Sequence, residues 1–116
     1  KILGKPDLKV TATTVRVPVF NSHSESINIE FEKKVCIADV INLLKNSPGI
    51  IVEDDTSKEK YPIASFVSGK NEVFVGRIRQ DFSVESGINI WVVADNIRKG
   101  AATNAIQILE KLIYKN

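Results

Sequence analysis

The one histidine of the sequence, His23, lies in the segment RVPVFNSHSE, seven residues after Arg16, which interrupts an apolar run. An imidazole with an ordinary pKa of about 6.5 suits the giving and taking of a proton at neutral pH, and a guanidinium offers a planar fork for a carboxylate. The two residue types therefore supply a base and an anion clamp. On residue types alone, a solvated turn histidine and an exposed strand arginine are the simpler account of both. Cys36 is the only thiol. It opens a helical pattern between Val35 and Ile37, where a helix N-terminus can lower a thiol pKa, but the role expected of it is that of a small buried hydrophobe. Arg77 and Arg79 fall on one face of a predicted strand and could hold an anion, although a solvated strand face is the more frequent reason for such a pair. With one histidine, one cysteine and no carboxylate cluster at ligand spacing, no metal site is expected.

The elements that must position these residues are read from periodicity. Over 10–20 (VTATTVRVPVF), Val15, Val17 and Val19 alternate with Arg16 and Pro18, which predicts a strand, at an edge or bulged at Pro18 because proline cannot donate to a ladder. After the polar break NSHSES, Ile27, Ile29 and Phe31 alternate with Asn28, Glu30 and Glu32 in a second half-buried strand, and the two are expected to pair as a hairpin. Ile37, Val40, Ile41, Leu43 and Leu44 recur at helical spacing, so a helix is predicted over 36–46, stopped by Asn46, Ser47, Pro48 and Gly49. A short strand at 50–52 precedes the charged EDDTSKEKYP, which reads as a surface loop. Strands are predicted over 72–82 and 88–95, separated by SVESG, and an amphipathic terminal helix over 99–114, with Ala102, Ala105, Ile106, Leu109 and Leu112 or Ile113 on one stripe. About five strands and two helices that do not alternate regularly predict an α+β domain with a mixed sheet rather than a doubly wound one.

At 116 residues and 43% hydrophobic content the chain fits one compact domain over 1–116. Sixteen basic and fourteen acidic side chains give a net charge of +2, with the lysines spread from Lys1 to Lys115, so no nucleic-acid partner is expected. No membrane partner is expected either, since the longest mostly apolar run, INIWVVA at 88–94, is far short of the roughly 20 residues that cross a bilayer. The lone cysteine and the lack of a basic-then-apolar leader point to a reducing, cytoplasmic setting. The start KILG, without Met, reads as the beginning of a fragment. No Gly-rich phosphate loop is present: VGR at 75–77 lacks the spacing that turns several backbone N–H groups onto a phosphate.

RVPVFNSHSE, taken together with VGRIRQDFSVESGINIWVVADNIRKGAATNAIQI, resembles the C-terminal half of aspartate-semialdehyde dehydrogenase, in which R-V-P-V-x-x-x-H-S-E and W-V-V-x-D-N-x-x-K-G-A-A-x-N-x-x-Q-I recur in that order. The similarity covers nearly the whole chain. It implies a mixed sheet with helices packed on one face, like the C-terminal domain of glyceraldehyde-3-phosphate dehydrogenase-type enzymes, and a homodimer formed through this domain. It implies NADPH-dependent reduction of an aspartyl phosphate, a small-molecule substrate, to the semialdehyde with release of phosphate, in the biosynthesis of lysine and diaminopimelate, threonine, methionine and isoleucine. By the same resemblance His23 is the acid-base partner of a cysteine nucleophile, Arg16 grips the substrate carboxylate, and Asn96 lies near the nicotinamide end of the cofactor. An N-cap role explains Asp95 or Asn96 equally well.

The chain departs from that pattern in one respect. The nucleophilic cysteine of the family stands in a Q-N-x-x-C-type context upstream of the matched region, and Cys36 matches neither its position nor its surroundings. The family's substrate-binding Glu and Lys and its dinucleotide-binding domain, which carries most of the NADP site, would likewise precede Lys1. The piece alone is therefore expected to be inactive. A non-catalytic dimerisation or binding module that kept this fold is the alternative, although Arg16 and His23 are both intact. The related N-acetylglutamyl-phosphate reductase matches the strand-to-helix motif less closely.

Overall fold

A computed structural model describes residues 3–114. Lys1 and Ile2 of the KILG start lie outside the described residues, as do Lys115 and Asn116. Four strands, β1 (His23–Glu30), β2 (Ile50–Val52), β3 (Val73–Asp81) and β4 (Gly87–Ala94), form one sheet in the order β1-β4-β3-β2. β3 and β4 make an antiparallel hairpin. β1 runs antiparallel to β4 along its whole length, from His23 opposite Ala94 to Glu30 opposite Gly87. β2 lies parallel to β3, and α1 (Ile37–Lys45) packs against both. The sheet is mixed and the class α+β, as the irregular succession of elements predicts.

Sequence explains who sits in the middle. β4, GINIWVVA, is rich in β-branched and aromatic side chains and carries a partner on each side. β1 alternates polar and apolar residues and lies at an edge, bonded on one side only. On one face of the sheet Val93 stands opposite Phe74. A short helix, α2 (Ala64–Val67), closes that face by seating Val67 on the pair, and the three side chains are 0–4% exposed. Trp91 and Ala64 pack around them. The indole N–H of Trp91 donates to the Pro62 carbonyl at 2.9 Å, so the half-buried ring keeps its donor satisfied.

β3 carries a bulge. The register slips between Gly76 and Arg79, Arg77 takes a φ of +54°, and the Asp54 carboxylate accepts the Ile78 N–H at 2.9 Å. That bond satisfies a donor the ladder has lost, and it lets Ile78 turn into the core. Arg77 and Arg79 remain exposed. The guanidinium of Arg79 donates to the Arg77 carbonyl at 2.8 Å, so one of the two predicted anion binders is already tied to backbone.

Several expectations change. Residues 10–20 form no strand: the segment has no regular secondary structure and is exposed, with Val15, Val17 and Val19 open to solvent. Alternation creates an apolar edge but no ladder partner, and β1 spends its one paired edge on β4. The expected hairpin between 10–20 and the next strand is therefore absent, and β1 starts at His23, inside the stretch read as a polar break. The predicted helix at 36–46 is present as α1, with Cys36 at its N-cap position. Cys36 is exposed rather than buried, because a cap residue stands outside the stripe that faces the sheet. Within the predicted surface loop a 3-10 turn forms at Thr56–Lys58, where the Asp55 carboxylate accepts both the N–H and the hydroxyl of Ser57. The terminal helix divides into a π turn at Arg98–Ala102 and α3 (Thr103–Ile113). Its stripe is amphipathic as predicted, yet Ile106, Leu109, Leu112 and Ile113 are exposed. Spacing produces a stripe; it does not produce the surface that covers it.

Gly76 has a steric reason to be glycine, since a Cβ there would collide with the Glu53 carbonyl oxygen and lie 2.6 Å from Pro62 Cδ. Gly76→Ala is expected to destabilise the fold by about 1–3 kcal/mol, read as a lower urea midpoint at unchanged slope. An unchanged midpoint would mean that the 53–62 segment yields freely.

Candidate active site

His23 is the first residue of β1, opposite Ala94. Its imidazole is 65% exposed and its Nε2 lies 3.0 Å from a carboxylate oxygen of Glu25. Two residues along a strand share a face, so the pairing follows from the strand itself. A solvent-facing imidazole held by a carboxylate is placed to exchange a proton with a group brought against this edge.

What fixes the start of the strand is the residue before it. Ser22 has a φ of +82° and is 9% exposed. A non-glycine residue in the left-handed half of backbone space costs about 1–2 kcal/mol and persists where neighbours over-determine it. Two bonds do so here. The Ser22 N–H donates to the side-chain oxygen of Asn96 at 2.9 Å, and the Ser22 hydroxyl donates to the Ala64 carbonyl at 3.1 Å. One residue earlier, the Asn21 amide reaches the Ser68 hydroxyl at 3.5 Å.

Asn96 is held in turn by its neighbour. Asp95 ends the central strand and is 3% exposed. One carboxylate oxygen accepts the N–H groups of Ile97 and Arg98 at 2.9 and 3.1 Å, and the other accepts the Gly69 N–H at 2.7 Å. The bond from Gly69 is the main cause that holds this carboxyl below the usual aspartate range, against the opposing effect of burial. Of the two N-cap readings, Asp95 is the one that takes the leading N–H groups of the terminal segment, which leaves Asn96 free to turn toward Ser22.

The predicted residues are thus gathered unequally. His23 and Asn96 meet at one corner through Ser22. Arg16 lies in the irregular, exposed segment and makes no hydrogen bond or ion pair among the described residues. Cys36 belongs to the N-cap of α1, a different part of the fold. No group of three or more metal-ligating side chains forms among the described residues, and no helix among them is long and apolar enough to cross a membrane. Sequence reasoning missed Ser22, Glu25 and α2. Glu25 was findable from the two-residue period. The partners of Ser22 are 42 and 74 positions away and leave no local signal.

Comparison with known proteins gives this corner a context. The family described as semialdehyde dehydrogenase, dimerisation domain, matches residues 1–99. An aspartate-semialdehyde dehydrogenase of Aquifex aeolicus is 53% identical over 113 residues, which is 97% of this chain and 33% of that protein. One from Bacillus subtilis is 49% identical over the same shares. Among solved structures, aspartate semialdehyde dehydrogenase II from Vibrio cholerae superposes with a TM-score of 0.77 at 44% identity, covering 84% of this chain and 29% of that one. The chain spans about a third of the length of the relatives it matches.

The lowered pKa of Asp95 has a direct consequence for stability. A carboxyl whose folded pKa is depressed contributes above its unfolded value of about 3.9, and the contribution is lost as pH falls through the folded value. Asp95→Asn is therefore expected to be less stable than the parent protein at neutral pH, with the difference shrinking as pH drops below about 4. Unfolding midpoints taken across that range check it. A difference that stays constant with pH would mean that the charge is not what matters.

Proposed function

The chain belongs to the semialdehyde dehydrogenase dimerisation-domain family, and from that premise we propose that it is the C-terminal catalytic and dimerisation part of an aspartate-semialdehyde dehydrogenase. The observation that carries the reading is the likeness, across 97% of the chain, to enzymes of that name. The whole enzyme would convert aspartyl-4-phosphate to aspartate 4-semialdehyde and phosphate, in the cytoplasm, on the route to lysine and diaminopimelate, threonine, methionine and isoleucine. The dinucleotide-binding domain and the nucleophilic cysteine belong to the remainder of that enzyme.

In this reading His23 takes the proton of the nucleophilic thiol as its sulfur attacks the acyl phosphate and phosphate leaves. After reduction of the resulting thioester, the protonated imidazole returns a proton to the departing thiolate as the aldehyde is released. Glu25, 3.0 Å from the ring, holds the imidazole through both steps. Arg16 receives the substrate carboxylate in a bidentate grip. Its exposure, with no hydrogen bond or ion pair among the described residues, leaves the guanidinium available for that purpose. NADPH, when bound, supplies the hydride. Asn96 suits its nicotinamide end: the side-chain oxygen is committed to Ser22, and the amide nitrogen carries no hydrogen bond among the described residues, so it remains free to donate to a carboxamide oxygen.

The family's self-association is supported by the sheet face opposite Val93. By register, Ile27 stands opposite Ile90 and Val75 opposite Val92. Ile27, Ile29, Ile90 and Val92 are only half-buried there, an apolar surface of the sort a second copy covers.

In the full-length protein, His23→Asn is expected to lower turnover about 10² to 10⁴-fold. Steady-state assay with aspartate semialdehyde, phosphate and NADP checks this, and turnover near that of the parent would refute the acid-base role. Arg16→Leu is expected to raise KM for the semialdehyde far more than KM for NADP; equal rises would assign Arg16 a structural role. Sedimentation is expected to show a dimer, and a strict monomer at high concentration would count against the dimer face.

A further inference from the structure

We propose that Ser22 and Asn96 act together as the positioning pair of His23, so that one asparagine serves both the acid-base residue and the cofactor edge of the site. The inference rests on the proposed function for its catalytic meaning, but the clamp itself stands on geometry. β1 is fixed along its length by β4, whereas the segment that leads into it has no ladder partner. On its amino-terminal side the direction of His23 is therefore set by Ser22. That residue is buried, sits at a φ of +82°, and is gripped from both ends of its chemistry, by Asn96 on its N–H and by Ala64 on its hydroxyl.

The grip is only as rigid as its anchors, and both are firm. Ala64 opens α2 and packs on the Val67, Phe74 and Val93 cluster. Asn96 follows Asp95, whose buried carboxylate takes three backbone N–H groups. Movement of the Asn96 side chain therefore passes through one hydrogen bond to the peptide next to His23. If its free amide nitrogen binds the cofactor, that contact and the orientation of the imidazole are set by the same side chain. Asn96 and Ser22 touch no thiol and carry no proton in the reaction; they act through His23.

The test uses the full-length protein. Asn96→Ala removes the acceptor, and Asn96→Asp keeps an oxygen at the same place. Asn96→Ala is expected to lower kcat about 10- to 100-fold, with KM for aspartate semialdehyde changed by less than about 2-fold. Asn96→Asp is expected to recover most of that kcat at saturating NADP, which a side chain needed for bulk alone would also allow. Amide exchange separates the cases: the Ser22 and His23 amides are expected to exchange faster in Asn96→Ala and near the parent rate in Asn96→Asp. On the serine side, Ser22→Gly keeps the N–H and fits the backbone angle, so it is expected to retain more kcat than Ser22→Ala, which keeps the strain and loses the hydroxyl. Unchanged exchange at Ser22 in Asn96→Ala would overturn the clamp, and so would a loss that appears wholly as a higher KM for NADP. If His23→Asn leaves turnover intact, the acid-base reading fails instead, while the exchange rates still report whether Asn96 holds the start of β1.

Discussion

The buried carboxylate of Asp95 is the constraint on which the site depends. It stands at the end of the central strand and binds backbone N–H groups from two separate segments, Gly69 after α2 and Ile97 and Arg98 at the start of the terminal turn. Buried donors without acceptors are costly, so a single charged acceptor serving three of them decides where these segments can lie. Because Asn96 comes next in the chain, its direction is decided at the same time, and through Ser22 so is the entry into β1. The route from a core charge to an exposed imidazole passes through two residues, Asn96 and Ser22, and the one hydrogen bond between them.

α2 is the counterpart of that carboxylate on the other side of the corner. It is four residues long, too short for intrinsic helix stability, and exists because Val67 is buried against Phe74 and Val93. From that seat it presents the Ala64 carbonyl to the Ser22 hydroxyl and leads into Ser68 and Gly69, which meet Asn21 and Asp95. The Trp91 indole bonded to Pro62 and the absence of a side chain at Gly76 bring the approach to α2 close against the sheet. Packing and polar contacts thus converge on one short element.

The same fold leaves large apolar side chains uncovered. Val15, Val17, Val19 and Phe20 in the irregular segment before β1 are exposed, as is the stripe of α3. Large apolar side chains left open in such number are the kind of surface that other protein surface covers. The description of its family as a dimerisation domain agrees with that.

Local pattern was sufficient for much of this molecule. Strand patterns at 72–82 and 88–95 identified the two central strands, though not their pairing, helical spacing identified α1 to within a residue at each end, and the Asn-Ser-Pro-Gly stop was in place. Resemblance in two long motifs identified the family. The period also misled at 10–20, where alternation was real but a ladder partner was not, and at Cys36, where a position beside an apolar stripe was taken for a position in it. Only the tertiary structure decided which segments meet: that β1 pairs with β4, that Asp54 fills the gap left by the β3 bulge, and that Ser22 is held by residues 42 and 74 positions away. The reason is physical. Propensity and periodicity are properties of a few neighbouring residues, whereas a strand's partner, a buried donor's acceptor and the cover of an apolar stripe are chosen by whatever the rest of the chain brings within bonding distance.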